Sequence, residues 1–178
     1  MDLQIVNFLN HLGQGTRLDW FSRYISRNRT MTIIWALVIT LAIFFKKRYR
    51  KSILISFVIA GGLFYLIAEL GFKTLLPQEI GSRSRPYVAH ADLIQPIGTH
   101  YSDPSFPSSH MALTVALATV LILLFPALWP YVIIYVLLMA WSRMHNGMHY
   151  PSDIVAGAVI WLLCWWLWMR GGKKIFPA

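Results

Sequence analysis

The feature that most constrains this chain is a series of long apolar segments that carry almost no charge. Backbone that lies in lipid must satisfy its hydrogen bonds internally, and a helix needs about 20 apolar residues to cross the hydrocarbon core. The pattern therefore predicts an all-α integral membrane protein with about five transmembrane helices. The segments lie at 31–45, 52–72, 108–126, 128–144 and 152–169.

Shorter segments near the N-terminus have a different pattern. Residues 3–12 and 18–26 alternate apolar and polar side chains at helical spacing. Such alternation predicts amphipathic helices that lie in the membrane interface. A basic region, an apolar core and a small-residue cleavage site do not follow one another here, so we predict no cleavable signal peptide.

Composition agrees with the membrane assignment. Of the 178 residues, 57% are hydrophobic and 13% are charged, which is about half the charged fraction of a soluble domain. The length suits one helical domain, so we expect residues 1–178 to form a single membrane-embedded unit. Cys164 is the single cysteine and lies in an apolar segment. A disulfide framework and a cysteine-based metal motif are therefore excluded.

The net charge of +9 is concentrated at the ends of the apolar segments, where lysine and arginine meet lipid headgroups. The sequence contains no basic helix with interleaved aromatic residues, so we expect no nucleic-acid partner. The segment at 46–51 holds five positive residues, and this bias places it in the cytoplasm with the tail after Met169. The long polar loop at 73–107 then faces the opposite side. Four arginines also fall on that side, against a simple charge count: Arg17, Arg23, Arg27 and Arg29.

Three polar clusters share the membrane face of that loop. Lysine and arginine supply donors and charge for phosphate oxygens, and a helix start after Pro107 would add free backbone N–H groups. Two histidines can supply a nucleophile or base and an acid, while a carboxylate can hold one of them in a single tautomer. The clusters are Lys73, Arg83 and Arg85; Ser108, Ser109 and His110; and Ser142, Arg143, His149 and Asp153.

Each cluster also has a simpler explanation. Ser108 or Ser109 could be an ordinary helix N-cap, and the first cluster could anchor lipid headgroups. His145, His149 and Asp153 follow one another at intervals of four residues, which suits a metal site. A glycine and a proline interrupt any helix that would align the three, so we predict no metal and no cofactor. The loop offers other possible ligands, which we expect instead to shape the entrance: His90, Asp92, His100 and Asp103.

Taken in order, the motifs resemble the three-part signature of the type 2 phosphatidic acid phosphatase superfamily. The third part, Ser142-Arg143-x5-His149-x3-Asp153, matches in full and with its spacing. In the second part, Pro107-Ser108-Ser109-His110, the second serine stands where the family usually has glycine. The resemblance spans residues 73–153 and implies the family's all-helical membrane fold.

The first part of the signature departs further from the family. Eleven residues separate Lys73 from Arg85-Pro86, which is more than usual in the family. Gln78 occupies the usual lysine position, and Arg83 could compensate as an accessory phosphate-binding residue.

The resemblance implies a metal-independent phosphoryl transfer in two steps. His149 would attack phosphorus and form a phosphohistidine, with Asp153 orienting it and offsetting its positive charge. His110 would protonate the leaving oxygen and then activate water. The substrate phosphate would be held by Lys73, Arg85, Ser108, Arg143 and the backbone N–H of Ser109.

Within the superfamily, the segments RPYVAH, SFPSSH and HYPSD are similar to bacterial undecaprenyl-diphosphate phosphatases of the bacitracin-resistance type. The resemblance implies hydrolysis of a lipid phosphate or diphosphate at the outer face of the bacterial inner membrane. Lipid A 1-phosphatases and phosphatidylglycerophosphate phosphatases share the signature and stay open as alternatives. A non-hydrolytic phospholipid-binding or transport protein and a vanadate-dependent haloperoxidase are alternatives of other classes. The lipid substrate and the bilayer are the expected partners.

Overall fold

The computed structural model describes residues 1–76 and 82–170. Gln78 and the tail lysines Lys173 and Lys174 lie outside these described residues. The described chain folds into helices α1 Asp2–His11, α2 Arg17–Ile25, α3 Asn28–Phe45, α4 Arg50–Phe64, α5 Pro86–Ala89, α6 Ser109–Leu124, α7 Trp129–His145 and α8 Pro151–Arg170. Wider π-helical turns extend α4 from Tyr65 to Leu75, and short 3-10 turns at Lys47–Tyr49 and Pro126–Leu128 precede α4 and α7.

Three of the described helical segments are long and apolar enough to cross a membrane: Asn28–Phe45, Lys47–Leu75 and Pro126–His145. The apolar stretches Ser109–Leu124 and Pro151–Leu163 are shorter. Large apolar side chains point outward from these helices, and Leu37, Val58 and Leu137 are each more than half exposed. Such an apolar surface is unfavourable in water but is readily solvated by lipid tails. The predicted all-α membrane fold is confirmed.

Helix α6 lies at the centre of the bundle and contacts α8, α7 and α4. Most of its side chains are buried, as expected of a helix that is apolar on all faces. Its approach to α8 is closest at Gly157, where an added Cβ would lie 2.6 Å from the Ser108 carbonyl oxygen. The Ser108 N–H also donates to the Asp153 carbonyl at 3.1 Å. The glycine therefore lets the starts of α6 and α8 meet.

The two N-terminal helices match the predicted ranges to within one residue, and each buries one apolar and one polar side chain, with Val6 and Ile25 as the apolar ones. Their buried side chains include Asn10 and Ser22, whereas Phe8 and Trp20 are more than 60% exposed. Asn10 donates to the carbonyls of Gln95 at 2.9 Å and His145 at 2.7 Å. Asn10 and Ser22 turn inward because the loop ends of the bundle carry polar groups that need hydrogen-bond partners. The apolar face is left for the membrane interface.

The polar loop begins later than its sequence pattern predicts. Lys73 lies on the helical extension of α4, not in the loop, because the π-helical turns run on to Leu75. Further along, the Tyr87 N–H donates to the Gly147 carbonyl at 3.2 Å, and the Ile97 N–H donates to the Asn146 carbonyl at 3.3 Å. The described part of the loop is thus held against the turn between α7 and α8.

Candidate active site

His149 lies in the turn between α7 and α8 and is 1% exposed. Its Nδ1 atom is 2.8 Å from the Ser105 carbonyl oxygen, and a carbonyl only accepts, so Nδ1 carries the proton. Its Nε2 atom keeps a lone pair and lies 3.3 Å from Arg85 Nη1 and 3.4 Å from Arg143 Nη2. Burial holds the pKa of His149 well below its usual value, and the charges of Arg143 and Arg85 lower it further. The ring is therefore neutral at neutral pH, with an Nε2 lone pair that faces the cavity.

Asp153, in the first turn of α8, is completely buried. Its Oδ2 atom is 3.8 Å from His149 Nδ1, which is too long for a hydrogen bond. The same oxygen accepts from Ser105 Oγ at 2.5 Å and from the Tyr150 N–H at 2.8 Å. Asp153 therefore orients His149 through Ser105, whose carbonyl holds the ring. Sequence reasoning missed Ser105, although it opens the motif SFPSSH.

Arg83 lies next to Asp153 and does not line the cavity that contains His149. Its Nη1 atom donates to Asp153 Oδ1 at 2.7 Å, and its Nη2 atom donates to Asp2 Oδ2 at 3.2 Å. The guanidinium also stacks over the Tyr150 ring at 4.0 Å. Hydrogen bonds from Ser152 and Arg83 hold the pKa of Asp2 below its usual value. Two carboxylates thus keep Arg83 from the accessory phosphate-binding position predicted for it.

A cavity of about 480 Å³ brings six of the predicted site residues together. Ser108 and Asp153 are buried behind them, and Ser142 donates to the Met139 carbonyl within its own helix. The predicted residues that line the cavity are Lys73, Arg85, Ser109, His110, Arg143 and His149. Residues that sequence reasoning did not place there are Asn28, Met31, Thr32, Glu69, Tyr101, Asp103 and Leu113.

The cations of the cavity are fixed by a carboxylate from the loop. Asp103 accepts from Lys73 Nζ at 2.5 Å and from Arg85 Nη2 at 2.8 Å. The Met148 carbonyl holds Arg85 Nη1 at 3.1 Å. Burial raises the pKa of Asp103, but the hydrogen bond and charge of Lys73 and the charge of Arg85 bring it below its usual value. Asp103 is therefore ionised and occupies part of the place that an anionic ligand would take.

The start of α6 supplies polar groups that have no partner. Among the described residues, the buried atoms His110 Nε2, Ser108 Oγ, Ser109 Oγ and Arg143 Nε make no hydrogen bond. Buried polar atoms are normally paired, so the three unpaired atoms of cavity-lining residues, with Ser108 behind them, indicate a site for a polar ligand. Ser108 stands at the N-cap position, but its side chain makes no capping bond. The first N–H groups of α6 add donors and the positive end of the helix dipole.

The metal alternative does not fit the contacts of His145. Its Nδ1 atom lies 2.7 Å from the Leu9 carbonyl oxygen, and its Nε2 atom lies 3.0 Å from Asp19 Oδ1. Both ring nitrogens are thus engaged away from His149. In the part of the chain that the structure describes, no three histidine, cysteine or acidic residues form a group that could hold a metal ion.

Comparison with known proteins shows which family and which solved structures the chain is similar to. Residues 63–176 match the family model described as the PAP2 superfamily. The chain is 27% identical to the lipid A 4'-phosphatase of Bacteroides thetaiotaomicron over 98% of this chain and 78% of that protein. It is 35% identical to the undecaprenyl-diphosphatase of Sulfolobus acidocaldarius over 75% of this chain, which spans only 60% of that protein. The crystal structure of Aquifex aeolicus LpxE has a similar fold, with a TM-score of 0.69 at 20% identity over 95% of this chain and 94% of that one.

Proposed function

This chain belongs to the PAP2 superfamily and is a membrane lipid phosphatase, and we propose that it releases the terminal phosphate of undecaprenyl diphosphate. The observation that carries the proposal is the neutral His149, whose Nε2 lone pair lies between two guanidinium groups. A cationic pocket alone would only bind phosphate. A nucleophile and a second histidine in the same cavity add the means to break a P–O bond.

In the first step, His149 Nε2 attacks the terminal phosphorus, and the bond from phosphorus to the bridging oxygen breaks. His110, at the start of α6, enters this step as the imidazolium, gives one proton to the leaving lipid phosphate and becomes neutral. Lys73, Arg85 and Arg143 stabilise the negative charge on the transferring group. The phosphorylated ring is cationic. Its Nδ1 keeps its proton and donates it to the Ser105 carbonyl, while the buried Asp153 carboxylate lies near enough to offset the charge.

In the second step, His110 accepts a proton from a water molecule. The resulting hydroxide attacks the phosphohistidine, the P–N bond breaks, and inorganic phosphate is formed. The products are one lipid monophosphate and one phosphate, and His149 returns to its neutral state. Every step uses side chains of this chain alone.

The position of the cavity supports a lipid substrate. Asn28, Met31 and Thr32 of α3 form one wall, and Glu69 and Lys73 on the extension of α4 form another. A lipid tail that leaves the cavity between these helices reaches the hydrocarbon region directly. We propose that residues 1–178 work as one unit, since α1, α2 and the loop all pack on the end of α7.

The charge distribution supports a site that faces outward from a bacterial inner membrane. Helix α3 begins at the cavity with Asn28 and ends at Phe45, next to the basic segment 46–51. Its 18 residues span about 27 Å, so the basic segment and the site lie at opposite membrane faces. Basic loops stay in the cytoplasm, which supports our proposal that the site faces the periplasm or cell exterior.

A lipid A phosphate is the second candidate substrate. The similarity to the Bacteroides lipid A 4'-phosphatase covers nearly the whole chain, whereas the similarity to the undecaprenyl-diphosphatase is higher in identity and shorter. Both substrates present a phosphate on an apolar anchor, so the positive charge of the described cavity suits either of them.

Phosphate release from purified protein tests the proposal. The panel contains undecaprenyl diphosphate, lipid A and phosphatidylglycerophosphate, each with the wild type, His149→Ala and His110→Ala. We expect the highest kcat/KM with undecaprenyl diphosphate, and a loss of at least about 100-fold in each variant. Preference for lipid A would favour the second candidate. Release from none of the three by a folded wild type, or full turnover by His149→Ala, would overturn the proposal.

A further inference from the structure

A second cavity of about 310 Å³ lies beside the catalytic cavity. The two share Tyr101 and Arg143 as lining residues. The other walls of the second cavity come from Arg23 of α2, from Arg27 just before α3, from the loop at 97–99 and from the turn after α7. The mechanism above uses none of these last residues. The four N-terminal arginines also ran against the charge count expected for this membrane face.

The charge of the second cavity is positive, and Asp103 acts on Arg143 only from the side of the catalytic cavity. Among the described residues, Arg23, Arg27 and Arg143 have no carboxylate within salt-bridge distance. By contrast, Lys73, Arg83 and Arg85 each pair with an aspartate. Three neighbouring arginines that lack a salt-bridge partner repel one another. An anion bound in this cavity would therefore be stabilised by all three.

The geometry of the cavity is built by the loop as well as by α2. Gly98 has a φ of +103°, and a Cβ added there would lie 3.1 Å from the Arg23 Cγ atom. The bare glycine backbone therefore lets the Arg23 stem pack closely on the loop. On the inner wall, Arg143 is 2% exposed, and its Nε atom makes no hydrogen bond among the described residues. One buried donor and two outer arginines are thus available to the same ligand.

We infer that this second cavity binds a phosphate group next to the phosphate that reacts with His149. The inference rests on the proposed lipid phosphatase activity, which brings phosphate to the shared wall of Tyr101 and Arg143. An arginine guanidinium can donate two parallel hydrogen bonds to two oxygens of one phosphate group. The phosphate is either the inorganic product on its way to water or the second phosphate of a diphosphate headgroup.

The test compares Arg23→Gln/Arg27→Gln with Arg17→Gln/Arg29→Gln. The second double variant removes the same charge from the same N-terminal region, but its residues do not line the cavity. Each protein is assayed with a diphosphate and a monophosphate lipid of the same isoprenoid chain, with and without added inorganic phosphate. Size-exclusion elution and thermal melting verify that each variant is folded.

The two sources of phosphate give different results. If the headgroup supplies it, Arg23→Gln/Arg27→Gln lowers kcat/KM about tenfold for the diphosphate alone. If the product supplies it, kcat/KM is unchanged for both lipids and the inhibition constant of inorganic phosphate rises about tenfold. No difference from wild type, an equal loss for both lipids, or the same effect in Arg17→Gln/Arg29→Gln overturns the inference.

Calorimetry with inorganic phosphate separates this inference from the proposed function. The wild type should bind phosphate at two sites, and Arg23→Gln/Arg27→Gln at one. If the wild type hydrolyses no lipid yet still shows the binding that depends on Arg23 and Arg27, the proposed function fails and the second site stands. If the wild type hydrolyses lipid but binds one phosphate, only the second site fails.

Discussion

The two ring nitrogens of His149 have different surroundings, and this difference determines what the residue can do. The Ser105 carbonyl keeps the proton on Nδ1, while Arg85 and Arg143 face Nε2. Burial beside these cations disfavours a second proton. At the scale of single residues, the site therefore combines a neutral imidazole, our proposed nucleophile, with a fixed set of cations, and Asp153 contacts the ring through Ser105.

The lowered pKa of His149 predicts the pH dependence of the reaction. The neutral ring is the reactive form, and the kcat/KM profile reports groups of the free enzyme. We expect its acidic limb to lie below the usual histidine value of about 6.5. In the same window the unfolded chain takes up a proton that the folded chain does not, so stability falls as the pH drops. An acidic limb at or above about 6.5 contradicts this assignment, and His11→Gln, outside the site, should leave the limb unmoved.

Arg83 and Arg85 are predicted to differ although both pair with an aspartate. Arg85 lines the cavity, so Arg85→Gln should raise the inhibition constant of inorganic phosphate about tenfold. Arg83→Gln should leave that constant unchanged and lower kcat, because Asp153 loses its cationic partner. It should also lower the free energy of unfolding by roughly 1–3 kcal/mol. Inhibition assays and chemical denaturation of both variants check this. Weaker phosphate binding by Arg83→Gln would contradict it and show that Arg83 contributes to phosphate binding.

At the scale of elements, the site depends on how closely α6 and α8 approach. The backbone contact between Ser108 and Asp153 joins the first turns of these helices, and Gly157 leaves room for it. The first turn of α6 then presents its free N–H groups and His110 to the cavity, while the first turn of α8 buries Asp153. The helical extension of α4 adds Lys73 from a third direction.

Gly157→Ala is predicted to damage both stability and activity. The new Cβ would lie 2.6 Å from the Ser108 carbonyl oxygen, so the helices must separate at the site. Overpacking of this kind costs about 1–3 kcal/mol. Gly61→Ala and Gly62→Ala are matched controls, since an added Cβ meets nothing within 4 Å at either position. Thermal melting and kcat/KM compare the three variants, and a Gly157→Ala protein that matches the controls would contradict the close approach.

At the scale of the whole molecule, charge and hydropathy divide the chain into three zones. The cavities and the arginines of α2 lie at one end of the bundle, the apolar helices cover its middle, and the basic segment 46–51 lies at the other end. The membrane potential and anionic lipids favour basic loops in the cytoplasm. The arginines at the end with the cavities do not follow this rule, and the phosphate site proposed for the second cavity would account for Arg23 and Arg27.

Membrane topology can be measured with single cysteines in a Cys164→Ser background. Arg48 and Asp92 are both exposed and lie on opposite sides of the predicted membrane. An impermeant maleimide added to intact cells should label Asp92→Cys and not Arg48→Cys, because basic loops stay inside. Both should react after the cells are opened. Labelling of Arg48→Cys in intact cells would reverse the proposed orientation.

The sequence by itself determined that the protein is an all-α membrane protein, and it pointed to most residues of the candidate site. Apolar runs of membrane length allow only helices or closed barrels, and the spacing of Arg143, His149 and Asp153 indicated the family that the match over residues 63–176 confirms. These features are local, so they can be predicted from residues that are close along the chain.

Only the tertiary structure decided which distant residues meet. Ser105 stands between Asp153 and His149, and Asp103 binds Lys73 and Arg85. Arg83 and Lys73 could not be distinguished by spacing, yet Arg83 is held by Asp2 and Asp153, and Lys73 lines the cavity. The inward position of Asn10 and Ser22 was likewise decided by hydrogen bonds to residues far away in the sequence. A side chain goes to the partner that satisfies its charge or hydrogen bonds, and that partner is chosen by the packing of the helices.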